Sequence, residues 1–275
     1  MLYDYLTCPI CRESLVNSNG GAACKNGHSF DLAKEGYLNL LPVNAKKSAD
    51  PGDNKQMVNG RKDFLSHGYF EELAKFLAHS TIDANCILDA GCGTGYYGAK
   101  IKQAIGCCVC GVDISKFAVR HAAKSGYDCA VVGSVFSMPF SNSAFDCAIS
   151  VFAPVCAEEL YRVMKKGGKL ITVCPAEKHL LQLKQVMYGD SVYENPPENA
   201  HKPILFKNGE RAFDLIQTHR LTFDKTVSSQ QDISALLSMT PYLYKTGDDK
   251  KQKLLSLSSL ICTFDFYITE YQKNI

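Results

Sequence analysis

The stretch Ile87-Leu88-Asp89-Ala90-Gly91-Cys92-Gly93-Thr94-Gly95-Tyr96-Tyr97 constrains the architecture of this chain more than any other. An apolar run enters it, a helix-compatible run leaves it, and glycine stands at every second position between them. Glycine reaches backbone conformations closed to other residues and lets a ligand come close to the main chain. The helix that follows would turn free amides and its positive dipole end toward an anionic group such as a carboxylate. The dinucleotide fingerprint spaces its glycines as G-x-G-x-x-G, whereas this loop reads G-x-G-x-G with Gly98 beyond it, so a nicotinamide enzyme fits less well.

A strand-then-helix rhythm surrounds the loop. Cys86 to Ala90 reads as strand, Tyr96 to Ala104 as helix, Cys107 to Val112 as strand and Ser115 to Lys124 as helix. Cys129 to Val132 and Phe145 to Phe152 then read as strands, Ala157 to Met164 as helix and Lys169 to Cys174 as strand. Such alternation gives a parallel sheet covered by helices on both faces. Asp113 follows the second strand, 22 positions after Gly91, where an acidic side chain accepts hydrogen bonds from ribose hydroxyls. Beyond Pro175 the pattern weakens to a helix from Lys178 to Tyr188, a polar stretch around Asn195-Pro196-Pro197 and an alternating run from Thr263 to Tyr271, read as an edge strand.

The first 42 residues follow another logic. They hold too little apolar content to bury a core and need a staple. Cys8-Pro9-Ile10-Cys11, Cys24 and His28 supply one: two thiols a turn apart, a third after twelve residues, and an imidazole after three more. Thiolate and imidazole are the ligands zinc prefers, and a closed set of four leaves no position for water, so the predicted role is structural. The other cysteines, among them Cys107, Cys108 and Cys110, fall in apolar runs, and the total of thirteen is odd, which excludes a disulfide framework. A net charge of +2 gives no bulk attraction to nucleic acid, so any such contact needs a local basic patch. No apolar run approaches the roughly 20 residues of a membrane span and the start does not resemble a secretory signal, which predicts a cytoplasmic protein with no membrane partner.

These pieces divide the chain into a zinc-binding module over 1–42, a linker and helical bridge over 43–80, and a catalytic domain over 81–275. The bridge contains a turn at Asp50-Pro51-Gly52-Asp53 and helical spacing from Arg61 to His79, broken near Gly68.

With Ser134 to Met138, Asp146 and Lys166-Gly167-Gly168-Lys169 added, the central part resembles the class I S-adenosylmethionine methyltransferases. The expected fold is α/β, a Rossmann-like class I methyltransferase sheet with a small N-terminal zinc-binding domain. Ala33-Lys34-Glu35-Gly36-Tyr37, Asn39-Leu40-Leu41-Pro42, Arg61 to Gly68, Phe152-Ala153-Pro154, Glu158-Glu159-Leu160, Pro175 to Leu181 and Met239-Thr240-Pro241 narrow the match. Taken together the chain resembles the 23S rRNA (guanine-N1)-methyltransferase family over most of its length, and only loosely from about Asn195 to Ser234.

The resemblance implies a zinc module that helps recognise RNA, a methyltransferase domain that carries S-adenosylmethionine, and a homodimer. It implies a guanine target in a hairpin loop of domain II of 23S rRNA; some family members confer resistance to tylosin-type macrolides. Carried over residue by residue, cofactor contacts fall on Gly93, Thr94, His179 and the aromatic after Gly68; Asp89, Gly91, Gly95 and Asp113 complete the expected cofactor set. That aromatic is a tyrosine in the family, whereas here Phe70 takes the place with Tyr69 beside it. A small-molecule methyltransferase and a non-catalytic zinc-dependent RNA-binding protein remain as alternatives.

Guanine N1 carries a proton at neutral pH, so attack requires its removal or a site that stabilises the deprotonated base. Glu158, Glu159 and His179 are candidates and the catalytic base stays unassigned. Lys34, Lys46, Lys47, Arg61 and Lys62 form a candidate RNA footprint.

Overall fold

The structure, a computed structural model, describes residues 3–43, 51–189 and 202–274, without the side chain of Lys245. Lys46, Lys47, Asp50 and Asn195-Pro196-Pro197 lie outside the described residues.

Three short antiparallel strands, β1 (Val16–Ser18), β2 (Gly21–Ala23) and β3 (Ser29–Asp31), form the N-terminal ribbon. β4 (Leu38–Asn39) leaves it and joins the main sheet. Two helices follow, α1 (Lys55–Ser66) and α2 (Glu71–Ser80). Asn54 caps α1 by accepting from Met57 N at 3.0 Å, and the break between the helices comes at Gly68, whose φ of +77° a side chain would resist. The central elements are β5 (Cys86–Ala90), α3 (Tyr96–Ile105), β6 (Cys108–Asp113), α4 (Lys116–Ala122), β7 (Cys129–Val132), β8 (Phe145–Val151), α5 (Ala157–Val163) and β9 (Met164–Pro175). Each predicted element is present, with ends shifted by a few residues.

The C-terminal third contains α6 (Leu181–Tyr188), β10 (Ile204–Leu205), β11 (Arg211–Val227), α7 (Gln230–Ser238), α8 (Tyr242–Lys245), α9 (Asp248–Leu255) and β12 (Leu260–Lys273). The main sheet runs β10-β11-β12-β9-β8-β5-β6-β7-β4, parallel from β9 through β4 and antiparallel beyond β9. From β5 the chain proceeds outward to β6 and β7, then returns to β8 on the other side. That reversal opens a crevice at the carboxyl ends of the strands, the place where open α/β sheets bind ligands.

The expectation of an edge strand over Thr263 to Tyr271 is corrected: β12 is paired on both sides, with β11 and β9. Its alternating polar residues imitate a solvated face. Instead Asp265 accepts from Arg220 Nε at 2.9 Å and Thr222 Oγ1 at 2.6 Å, and Thr263 bonds Asp224 and Gln182. Buried polar groups satisfied in this way cost the core little.

The ribbon has no separate core. Leu6, Leu15, Leu38 and Leu40 pack with Leu88, Val112, Phe140 and Phe145 in one cluster, and β4 extends the main sheet by pairing in parallel with β7. Among the described residues no helix is long and apolar enough to cross a membrane.

Candidate cofactor cavity and metal centre

The zinc ligands converge. Two knuckles, each closed by backbone hydrogen bonds (Arg12 N to Cys8 O, 2.9 Å; Gly27 N to Cys24 O, 3.0 Å), bring Cys8, Cys11, Cys24 and His28 within 4.8 Å of one another. Cys11 Sγ lies 3.6 Å from Cys24 Sγ, and His28 Nδ1 lies 3.5 Å from Cys8 Sγ and 3.4 Å from Cys24 Sγ. A tetrahedron with zinc–sulfur bonds near 2.3 Å has edges of roughly 3.8 Å, so the four donors fit the ion, with Nδ1 as the histidine ligand. The Glu13 amide leads in lowering the Cys11 thiol to about 6, which favours the thiolate that a metal requires.

The ribbon also grips the catalytic domain. Arg12, held at φ +64° directly after Cys11, donates Nη1 to Met138 O at 2.9 Å and Nη2 to Ser137 Oγ at 2.7 Å. Arg162 donates to the same Met138 carbonyl, and Glu159 accepts from Met138 N at 2.5 Å. The turn so fastened begins at Ser134, and Ser134, Val135 and Phe136 form one wall of the crevice cavity.

The glycine loop forms the cavity floor. Gly91 has φ +81°, and a Cβ there would stand 2.3 Å from Ala153 Cβ. Gly93 has φ +53° and opens onto space, its nearest neighbour being Arg61 Cδ at 3.9 Å from an added Cβ. Gly93 N donates to Asp113 Oδ2 at 2.9 Å and Ser115 N to Oδ1 at 2.8 Å. Burial pushes the Asp113 carboxyl up, opposed by these two amides. A carboxylate has about four lone-pair sites, so Asp113 can still accept from a ribose diol. Asp89 sits at the wall, accepts from Tyr127 Oη at 2.5 Å and is pushed by burial up to about 7.

Of the expected cofactor set, Phe70, Asp89, Gly91, Gly93, Thr94 and Asp113 line the cavity. Gly95 packs behind the loop, where a Cβ would stand 2.7 Å from Ala122 Cα. Tyr69 does not line it: its hydroxyl donates to Asp232 Oδ2 at 2.8 Å and its ring stacks on Phe64. His179 stands one layer back, its ring centroid 6.4 Å from Phe70 and 6.3 Å from Phe152. Phe152, at φ +56°, is a non-glycine residue in the left-handed region at the mouth of the cavity, a place where strain commonly serves a site.

The two glutamates considered as bases lie elsewhere. Glu158 accepts from Lys207 N at 3.1 Å. Burial alone would raise Glu159, but Arg162 and the Met138 amide hold it below the usual carboxylate range. Glu159 is mostly buried in the Arg162 clasp, its side chain 13% exposed. Arg61 is also reassigned by its position. It lines the cavity, bonds Asp53 Oδ2 at 2.7 Å and faces inward instead of forming an outer RNA-binding surface. The Gly52-Asp53 turn forms part of the same wall, held by Ser115 Oγ donating to Asp53 O at 2.7 Å. No loop motif marks Asp53 and Arg61, because they approach through tertiary packing from a segment that reads as a connector. Lys34 is exposed, and Lys62 pairs with its neighbour Asp63 at 3.4 Å.

The cavity therefore combines a glycine floor and a cation for an amino-acid carboxylate, an acidic strand end for a diol, and an apolar wall at Ile114, Val135 and Phe136 for a flat ring. These features fit S-adenosylmethionine. A zinc-ribbon family model described as RlmA, N-terminal, matches residues 6–49, and a model described as Methyltransferase domain matches residues 87–168. The putative 23S rRNA (guanine-N(1)-)-methyltransferase YxjB of Bacillus subtilis (strain 168) is 30% identical over 277 residues, covering 96% of this chain and 95% of that one. The 23S rRNA (guanine(748)-N(1))-methyltransferase of Streptomyces fradiae is 36% identical over 191 residues, 65% of this chain and 66% of that one. In fold, the chain is similar to a solved complex of the Haloferax volcanii Trm112 methyltransferase activator and a putative methyltransferase, with a TM-score of 0.51 and 14% identity over 82% of this chain and 99% of that chain. The near-complete match to the Bacillus relative, with a metal-ready ribbon clasped to a cofactor cavity, shows that this chain belongs to the 23S rRNA (guanine-N1)-methyltransferase family.

Proposed function

We propose that this protein is a cytoplasmic enzyme that methylates N1 of a guanine in a hairpin loop of domain II of 23S rRNA, with zinc holding the ribbon. The observation that carries this reading is the cavity at the strand switch point, walled by a turn that the zinc knuckle itself holds through Arg12. S-adenosylmethionine supplies an electrophilic methyl group on sulfonium. The chain's own residues bind and orient. The Arg61 guanidinium receives the carboxylate end above the glycine floor, Asp113 the ribose, and Ser134 to Phe136 the purine.

Phe152 offers apolar surface beside the reacting end, where an extruded guanine would stack, and the fully buried Phe70 backs it; unpaired bases in RNA loops are commonly recognised by such stacking. His179 accepts the Asp265 N–H on Nδ1 at 3.4 Å. The ring stands behind Phe70 and Phe152 and backs the Phe152 wall of the cavity. In this reading His179 is a positioning residue and not the base that takes the N1 proton. Lys34, and Lys62 on exchanging its Asp63 partner, are the described members of the footprint that would meet phosphate. The homodimer implied by the family is part of the proposal and is read by sedimentation equilibrium.

An N1-methyl group blocks the Watson–Crick edge of guanine, so reverse transcription stops beside it. Primer extension through domain II of 23S rRNA, with and without prior incubation with enzyme and cofactor, is expected to show one new stop at a hairpin-loop guanine. A stop only outside domain II would refute the assigned target.

A further inference from the structure

Among the described residues a second group of thiols converges away from the ribbon ligands. Cys86 on β5 stands directly opposite Cys108 on β6 in the parallel register, and Cys110 lies two residues further along β6, on the same face. Residues two apart on a strand have Cα atoms about 6.6 Å apart, yet all three Sγ atoms lie within 4.8 Å of one another, the same test that the ribbon ligands satisfy. The side chains therefore lean together. Cys86 and Cys110 are buried, while Cys108 is partly exposed and leaves a route for an ion. Tyr5, from the ribbon, packs in the same apolar cluster as these three cysteines, its ring stacked against Phe145 at 5.7 Å.

We propose that Cys86, Cys108 and Cys110 form a second zinc site, its fourth position open to water, at the seam between ribbon and catalytic sheet. Three soft donors select a thiophilic d10 ion over magnesium or calcium, which take oxygen ligands. Binding displaces the three thiol protons to solvent and breaks no covalent bond between heavy atoms. With a neutral water in that position the site carries the same net charge as the ribbon's three thiolates and one imidazole. Its consequence is mechanical, because an ion there ties β6 to β5, the strand that leads into the glycine loop.

Zinc per chain is measured by native mass spectrometry on the full-length protein during titration from zinc-buffered solution. Wild type is expected to take up two ions, and the Cys86→Ala/Cys108→Ala/Cys110→Ala variant one. A single ion on wild type at saturation overturns the proposal, as does a second ion retained by the triple variant. A variant that fails to fold leaves the wild-type chain to decide, through maleimide labelling of Cys108 mapped by mass spectrometry. Protection of Cys108 that develops only with the second equivalent supports the site, and labelling unchanged between the first and second equivalents overturns it.

Discussion

Gly91 and Gly93 lie two residues apart in one loop, both at positive φ, yet alanine is predicted to fail differently at each. At Gly91 an added Cβ would stand 2.3 Å from Ala153 Cβ, so a left-handed backbone cost of about 1–2 kcal/mol adds to an overpacking cost of about 1–3 kcal/mol. Gly91→Ala is therefore expected to destabilise the fold by about 2–5 kcal/mol and to displace the Phe152-Ala153-Pro154 wall. At Gly93 the nearest atom is 3.9 Å away, and only the left-handed term applies. The loop can relieve that strain by giving up the Gly93 N–Asp113 bond, and cofactor binding must then restore it. A cost of about 1–2 kcal/mol corresponds to roughly a 5- to 30-fold rise in Kd. Calorimetric titration with S-adenosylmethionine and urea unfolding of both variants separate the two effects. Equal loss of stability in the two variants, or a Gly93→Ala affinity within twofold of wild type, would refute the assignment of Gly93 to the open cradle.

Arg61→Ala removes a charge-assisted contact of about 1.5–3 kcal/mol and is expected to weaken S-adenosylmethionine binding roughly 10- to 150-fold. Decarboxylated S-adenosylmethionine should lose little; equal losses for both ligands would remove Arg61 from the carboxylate. Asp89 titrates at about 7 in the folded chain against an ordinary 3.8, so its contribution is fully present below about pH 3.8 and is lost as pH rises to about 7. Asp89→Asn should flatten that decline in urea unfolding, and an unchanged slope between pH 4 and 7 would show that Asp89 is not its source. Stripping zinc is expected to lower the midpoint of a single unfolding transition, because Leu6, Leu15 and Leu38 belong to the sheet's own core. Two separated calorimetric transitions would instead show an independent ribbon.

Local chemistry was legible and long-range packing was not. The zinc quartet and the glycine loop sit in short segments whose spacing states the geometry, and β5 to β9 carry apolar runs bounded by turns. β11 escaped because its 17 residues alternate polar and apolar without a strong hydrophobic face. β12 was placed at an edge because Asp265 and Thr263 look solvated until their partners on β11 and α6 are known. Arg61 read as an outer basic residue for a similar reason: its partner Asp53 and the cavity it faces come together only when α1 packs against α7 and α4. The boundary after Pro42 is a change in composition and not a break in the core, since β4 pairs with β7.

Transfer of labelled methyl from S-adenosylmethionine to 23S rRNA lacking its native modifications, followed by nucleoside chromatography, tests the central claim most directly. The account predicts that the label elutes as 1-methylguanosine and that His179→Ala sharply reduces its yield with cofactor affinity retained. Cofactor binding with no label in RNA, or label in a different nucleoside, would contradict it.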